Sequence, residues 1–286
     1  MATIADHIIT ALSASGVQRV YGLPGDSLNG FTDAIRRSGE ISWQHVRHEE
    51  TAAFAAAADA ALTGQLAVCA GSCGPGNLHL INGLFDAQRS RIPVLAIAAH
   101  IPRSEIGSEY FQETHPQELF RECSVYTELV STPEMAPRIL EMAMRTAVEE
   151  NGVAVVVIPG EIFLQRADAS GWLTRPIVPT RSVVRPDDES LRRAAAILNE
   201  SQAVTILGGA GVAGSHDALI QLAATLNAPI VHALRGKEFI EYDNPFDVGM
   251  TGLLGFSSGY FSMMDCDTLL MVGTDFPYRD FFPKQA

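Results

Sequence analysis

At 286 residues the chain is long enough for about two domains, each able to bury its own core. Its composition, 47% hydrophobic and 19% charged, suits a soluble globular protein. A formal net charge of -13, with no Lys/Arg run to offset it, excludes a general nucleic-acid partner, so any anionic ligand must be held by helix N-termini or single cations.

The start carries Asp6 and His7 where a secretory leader would carry a basic then apolar stretch. The longest apolar runs, 92–101 and 153–159, are too short to span a bilayer. Cys69, Cys73, Cys123 and Cys266 form no Cys-x-x-Cys pair, and buried thiols are expected rather than a disulfide framework. A cytoplasmic location is the expectation.

In chain order, a helix is predicted over 3–14, a strand over 19–22, and a helix over 27–37 with Ser27 or Asp26 as its N-cap. Residues 47–55 place Glu49 and Glu50 where a strand turns into an alanine-rich helix over 51–62. A strand over 66–70 enters Gly71-Ser72-Cys73-Gly74-Pro75-Gly76 and a helix from 77 to about 88. The apolar runs 93–99 and 153–158 suit central strands covered on both faces. This alternation predicts an α/β fold with a parallel sheet over 1–165. Periodicity fades over 166–186, where Pro176, Pro179, Pro186 and Gly171 predict a connector. A second, Rossmann-like α/β domain over 187–286 follows: helix 189–199, strand 203–207, helix 217–226, and strands 229–232 and 268–272. It reads as incomplete, because its last strand leads into Gly273-Thr274-Asp275-Phe276-Pro277 close to the end of the sequence.

Gly209-Ala210-Gly211-Val212-Ala213-Gly214 fits G-x-G-x-x-G between a strand and a helix, as a nucleotide loop or as a plain tight turn. The next strand ends in Val231-His232-Ala233, without the acidic residue that an NAD ribose would need. Acidic residues in the first turn of a helix are often structural, since they complement its dipole.

Read together, Tyr21-Gly22-Leu23-Pro24-Gly25-Asp26, Arg47-His48-Glu49-Glu50 and Gly74-Pro75-Gly76-Asn77-Leu78-His79 occur in an order that resembles the pyrimidine-binding domain of thiamine-diphosphate enzymes. Phe111-Gln112-Glu113-Thr114-His115-Pro116 and His232-Ala233-Leu234-Arg235-Gly236-Lys237 narrow the resemblance to the pyruvate oxidases that reduce a quinone. The resemblance implies Glu49 as the carboxylic acid bonded to the aminopyrimidine, with Glu50 its solvated neighbour. The alanine wall withdraws Glu49 from water and favours the acid form, while the helix start opposes it. Desolvation is expected to win, since the dipole term is only about 0.3–1 kcal/mol at exposed sites. Pro24, Gly25, Pro75, Asn77, His79, Phe111 and Gln112 are implied for the substrate and cofactor pocket. There an amide such as Gln112 can bond a substrate carboxylate, and Phe111 can exclude water. In the second domain the resemblance implies FAD, contacted by Gly209, Gly211, Arg235, Met250, Thr251, Gly252, Leu253, Gly273, Thr274, Asp275, Phe276 and Pro277.

The chain has Gly25-Asp26-Ser27 but no Gly-Asp-Gly, so the ligands of the Mg2+ that anchors the diphosphate are expected in an absent C-terminal domain, and no metal ligand within this chain. The implied activity is oxidative decarboxylation of pyruvate to acetate and carbon dioxide, with electrons passing to FAD and a quinone. A dimer or tetramer with a site between subunits is implied, as is peripheral membrane contact for the full-length form only. The isolated chain is expected to be inactive. The rival readings are an acetolactate synthase-like enzyme and a non-catalytic cofactor-binding fragment.

Overall fold

The computed structural model describes residues 2–168, 170–173, 175–177 and 183–284. The chain divides into two compact units, Met1–Ser182 and Val183–Ala286. Among the described residues no helix is long and apolar enough to cross a membrane.

The first unit runs α1 (Ile4–Ala14), β1 (Arg19–Gly22), α2 (Asn29–Ser38), β2 (Ser42–His45), α3 (Glu49–Thr63), β3 (Ala67–Gly71), α4 (Pro75–Arg89), β4 (Val94–His100), α5 (Pro116–Leu119), β5 (Tyr126–Leu129), α6 (Ala136–Glu150), β6 (Val153–Pro159) and α7 (Gly160–Leu164). The six strands form one sheet in the order β2-β1-β3-β4-β6-β5, and every pairing is parallel. β4 and β6 are buried at all seven positions, as continuous apolar runs require when both faces are covered. One face packs α1, α2, α6 and α7 through residues such as Ile8, Phe31, Leu140 and Phe163. The other packs α3 and α4 through Ala53, Ala56, Leu80 and Leu84. This is a doubly wound α/β fold. The chain leaves β1 toward β2, then crosses back to β3, so the strand order reverses between β1 and β3. The crevice beyond the C-terminal ends of those strands is where such sheets place ligands.

Thr3 caps α1 in a reciprocal capping box with Asp6, fixing the helix start read from the sequence. The start of α2 differs from expectation. Asp26–Leu28 is a 3-10 turn, and no side chain caps α2. The Ser27 hydroxyl instead accepts the Cys73 amide at 2.9 Å and lies 3.0 Å from Ser72 Oγ, tying the loop after β1 to the loop after β3.

Of the connector expected over 166–186, residues 169, 174 and 178–182 lie outside the described residues. Its early part is not a free tether: Arg166 bridges Thr3, Trp172 stacks on His7 at 5.1 Å, and Trp172, Leu173 and Ile177 pack on the core.

The second unit holds α8 (Asp188–Glu200), β7 (Val204–Gly208), α9 (His216–Leu226), β8 (Ile230–His232), α10 (Lys237–Ile240), β9 (Asp247–Met250), α11 (Ser257–Met264) and β10 (Thr268–Val272). Its four strands are parallel in the order β10-β7-β8-β9, so the order reverses between β7 and β10. Apolar clusters cover both faces, one around Ile206, Leu219 and Ile230 and the other around Leu207, Val231, Met263 and Phe276.

Candidate functional site

Glu49 is the first residue of α3 and Glu50 the second, yet their surroundings differ. Glu49 is only 5% exposed, held under the start of α4, whereas Glu50 is half-buried and accepts the Asn82 amide at 2.7 Å. His79 Nδ1 lies 3.1 Å from Glu49 Oε2. His48, the N-cap of α3, accepts the Glu50 amide at 3.3 Å and stacks on His79 with ring centroids 4.3 Å apart. A Cβ on Gly76 would stand 3.2 Å from both Glu49 Oε1 and Ser72 Cβ, so the missing side chain lets the Glu49 carboxyl pack closely against the start of α4. His48 is not among the site residues singled out from the sequence, from which no metal ligand was expected. The structure places one donor atom each of His48, Glu49 and His79 within 4.8 Å of one another.

The loops around the β1/β3 crevice interlock. A Cβ on Gly25 would meet Ser72 Oγ at 2.3 Å, and one on Gly74 would meet Gln112 Cβ at 2.6 Å. Gly74 has φ +65°, and Gln112 also sits in the left-handed region at φ +67°, which is uncommon for a non-glycine residue and marks a constrained turn. The Cys73 thiol donates to Gln112 Oε1 at 3.5 Å. Gln112 is thereby fixed beside the turn that starts α4. Phe111 is 80% exposed, and Pro24 and Pro75 are exposed. Asn77 is fully buried, its Nδ2 donating to the Ala99 carbonyl at 2.8 Å while its Oδ1 has no partner among the described residues. The structure thus gathers Glu49, His79 and Gly76 at one point, and Gly25, Gly74 and Gln112 along the adjoining loops.

His100 closes β4 on the same edge of the sheet, buried, with an Nδ1 that has no hydrogen-bond partner among the described residues. Burial holds its imidazole below the ordinary value of 6.5; Glu113 opposes this, His115 adds to it and Glu161 opposes it. The unfolded chain therefore binds the extra proton first as the pH falls. The stability that neutral His100 contributes is complete above about 6.5 and is lost as the pH drops below it. Urea unfolding from about pH 7 to about pH 5 should show stability falling with pH, at most about 1.4 kcal/mol per pH unit from this residue, and His100→Gln should flatten that slope.

The cysteines are free thiols among the described residues. Burial pushes Cys69 up to about 12 and Cys123 to about 11, so neither offers a thiolate near neutrality.

In the second unit the residues singled out from the sequence follow the C-terminal ends of all four strands. Gly209 and Gly211 permit a close backbone approach. A Cβ on Gly209 would meet the Gly273 carbonyl at 2.5 Å, and one on Gly211 would meet Gly273 Cα at 2.7 Å. Their amides donate to the Val272 and Gly273 carbonyls. The glycines let the loops after β7 and β10 lock together at the strand-order reversal. Met250, the last residue of β9, and Thr251 after it are buried, and Thr251 Oγ1 has no partner among the described residues. Gly252, at φ +104°, turns the chain there. A pocket of about 170 Å³ opens between Thr251, Gly252, Phe256, Tyr260, Phe261 and Phe281. Phe276 is buried and packs edge-on against Tyr278, while Leu253 is exposed. Gly273, Asp275, Pro277 and Arg235 are exposed, and Thr274 is half-buried.

Residues 2–119 match the family described as thiamine pyrophosphate enzyme, N-terminal TPP binding domain, and residues 191–285 match its central domain. Over 283 residues the chain is 62% identical to an uncharacterized 42.6 kDa protein in the isoamylase 3′ region of Pseudomonas amyloderamosa, covering 99% of this chain and 72% of that protein. It is 31% identical to the pyruvate oxidase of Lactiplantibacillus plantarum over 96% of this chain and 46% of that enzyme. It is 34% identical to the acetolactate synthase isozyme 2 large subunit of Escherichia coli over 96% of this chain and 50% of that subunit. The chain spans about half the length of these two enzymes. A doubly wound sheet with a buried acid at its crevice, a second parallel sheet and matches to both domain families lead to one statement: the chain belongs to the thiamine pyrophosphate enzymes, of which it carries the N-terminal and central domains.

Proposed function

We propose that this chain supplies the pyrimidine-binding and flavin-binding parts of an enzyme that oxidatively decarboxylates pyruvate to acetate and carbon dioxide, with a quinone as final electron acceptor. The observation that carries the reading is the Glu49 carboxyl, 5% exposed, reached by His79 and packed against the backbone of Gly76. When bound, thiamine diphosphate would supply a nucleophilic carbon and an electron sink for the decarboxylation of a 2-oxo acid. Glu49 serves that chemistry by holding and passing a proton at Oε1 or Oε2 to a ring nitrogen of the aminopyrimidine. His79 orients the carboxyl from the other side. The glycine at 76 lets that carboxyl lie close to the start of α4. Gln112, held by Cys73 and Gly74, presents its amide to the substrate carboxylate, and Phe111 shields the reacting centre from water.

FAD fits the second unit through the loops after β9 and β10. The unpartnered Thr251 hydroxyl, the turn at Gly252, the adjoining aromatic pocket and residues 273–277 suit a dinucleotide with a flat ring system. Arg235 is suited to its phosphates. The chain contains no Gly-Asp-Gly, and the Mg2+ and diphosphate are assigned to the part of the relatives that this chain does not span. Self-association as a dimer or tetramer, a cytoplasmic location and peripheral membrane contact of the full-length form belong to the same proposal.

The similarity to an acetolactate synthase gives the reading a direct competitor. Anaerobic addition of pyruvate to the flavin-loaded, full-length protein separates them. The oxidase bleaches its flavin and releases acetate. A flavin that stays oxidised while acetolactate accumulates overturns the oxidase reading.

A further inference from the structure

Two histidines and a carboxylate that the sequence separates converge where α3 and α4 begin. His48 caps α3, Glu49 opens it, and His79 stands near the start of α4, with one donor atom from each inside a span of 4.8 Å. The His48 and His79 side chains are both 46% exposed, and that of Glu49 is 6% exposed. We infer that this cluster is a binding site for one divalent transition-metal ion of the zinc class.

The donor set decides the class of ion. Two imidazoles and one carboxylate suit zinc, nickel or copper, whereas magnesium and calcium require a shell of oxygens. The site is therefore chemically separate from the magnesium site assigned to the diphosphate. Three protein ligands leave a coordination position for water, and the exposed flank of the two rings admits it. Zinc bonds of about 2.0–2.2 Å require the donors to draw closer than they stand, and the half-exposed imidazoles have room to rotate toward a carboxylate already fixed under α4. Ligation through Nδ1 of each ring would give up two contacts, the 3.3 Å cap from the Glu50 amide to His48 and the 3.1 Å contact between His79 and Glu49. The positive ends of α3 and α4 oppose a cation, which weakens the site but is small beside zinc ligation. An ion held here occupies the carboxyl proposed above for the aminopyrimidine, so the ion and thiamine exclude each other. That consequence alone rests on the proposed function.

Calorimetric titration of the thiamine-free chain with ZnCl2 tests the site, in a Cys266→Ser background so that the partly exposed thiol does not compete. The expected result is one ion per chain with micromolar affinity. His48→Asn, which retains a capping side chain, and His79→Gln should each weaken binding by at least about tenfold, and the double variant should abolish it. Circular dichroism melts establish that the variants are folded. Absence of binding, or binding that the folded double variant retains, overturns the inference. No cofactor or 2-oxo acid is in the cell, so failure here leaves the Glu49 activity prediction standing, and failure of that prediction leaves this one standing.

Discussion

Replacing Glu49 by glutamine in the full-length protein is expected to lower kcat about 10²–10⁴-fold, equivalent to about 2.7–5.5 kcal/mol of barrier. The substitution keeps the volume of the side chain and its contact with His79, so the fold and the crevice should survive. What disappears is the ability to hold and pass a proton, because an amide can donate to or accept from a ring nitrogen but does not exchange a proton with it at neutral pH. Glu50→Gln is the matched control. That carboxylate is half-buried, bonds Asn82 at the surface and should change kcat less than about twofold, within the usual ±0.5 kcal/mol of a surface substitution. Steady-state kinetics on both variants, with urea unfolding to show that their stability matches the parent, decides the matter. Equal losses in the two variants, or no loss at Glu49, would remove the catalytic role from the buried acid.

Much of this arrangement was legible in the sequence because burial on both faces leaves a simple signature. The apolar runs at 93–99 and 153–158 became β4 and β6, buried at every position. The alanine-rich segment became α3, whose small side chains allow α4 to approach closely. Elements with one wet face were harder to read. β5 is an edge strand with no fully buried position, and α6 is an amphipathic helix interrupted by charged residues, so neither gives an unbroken run. The contact between Glu49 and His79 was not legible at all. The motifs drew attention to both residues, but only the packing of α3 against α4 brings their side chains to 3.1 Å. Glycine patterns were ambiguous for a physical reason. G-x-G-x-x-G states that something approaches the backbone closely without stating what, and at Gly209 and Gly211 it is the Gly273 turn. Ser27 misled in the same way, since a hydroxyl before a helix can cap it or bond a neighbouring loop. Here it takes the Cys73 amide.

The close approach that builds the site can be tested without touching any functional side chain. Gly83, in the middle of α4, faces the first turns of α3, and a Cβ there would stand 2.6 Å from Ala53 Cβ, 2.9 Å from the Glu50 carbonyl and 3.0 Å from the Phe54 amide nitrogen. Two of these three atoms are backbone and cannot rotate away, so the added methyl must push the helices apart. Gly83→Ala would ordinarily strengthen an α-helix by about 1 kcal/mol. In this position overpacking, which typically costs about 1–3 kcal/mol and occasionally more, should dominate and leave the first unit less stable. Gly83→Val adds β-branching and two further methyl groups to the same gap, and its loss should exceed that of alanine. Because Glu50 and Phe54 flank the start of α3, the separation should also draw Glu49 away from His79. Urea midpoints should fall in the order glycine, alanine, valine, and in the full-length protein the folded fraction of each variant should lose activity beyond what its stability accounts for. A stabilised Gly83→Ala protein would show that α3 and α4 can part without strain, and that their contact does not set the position of the buried acid.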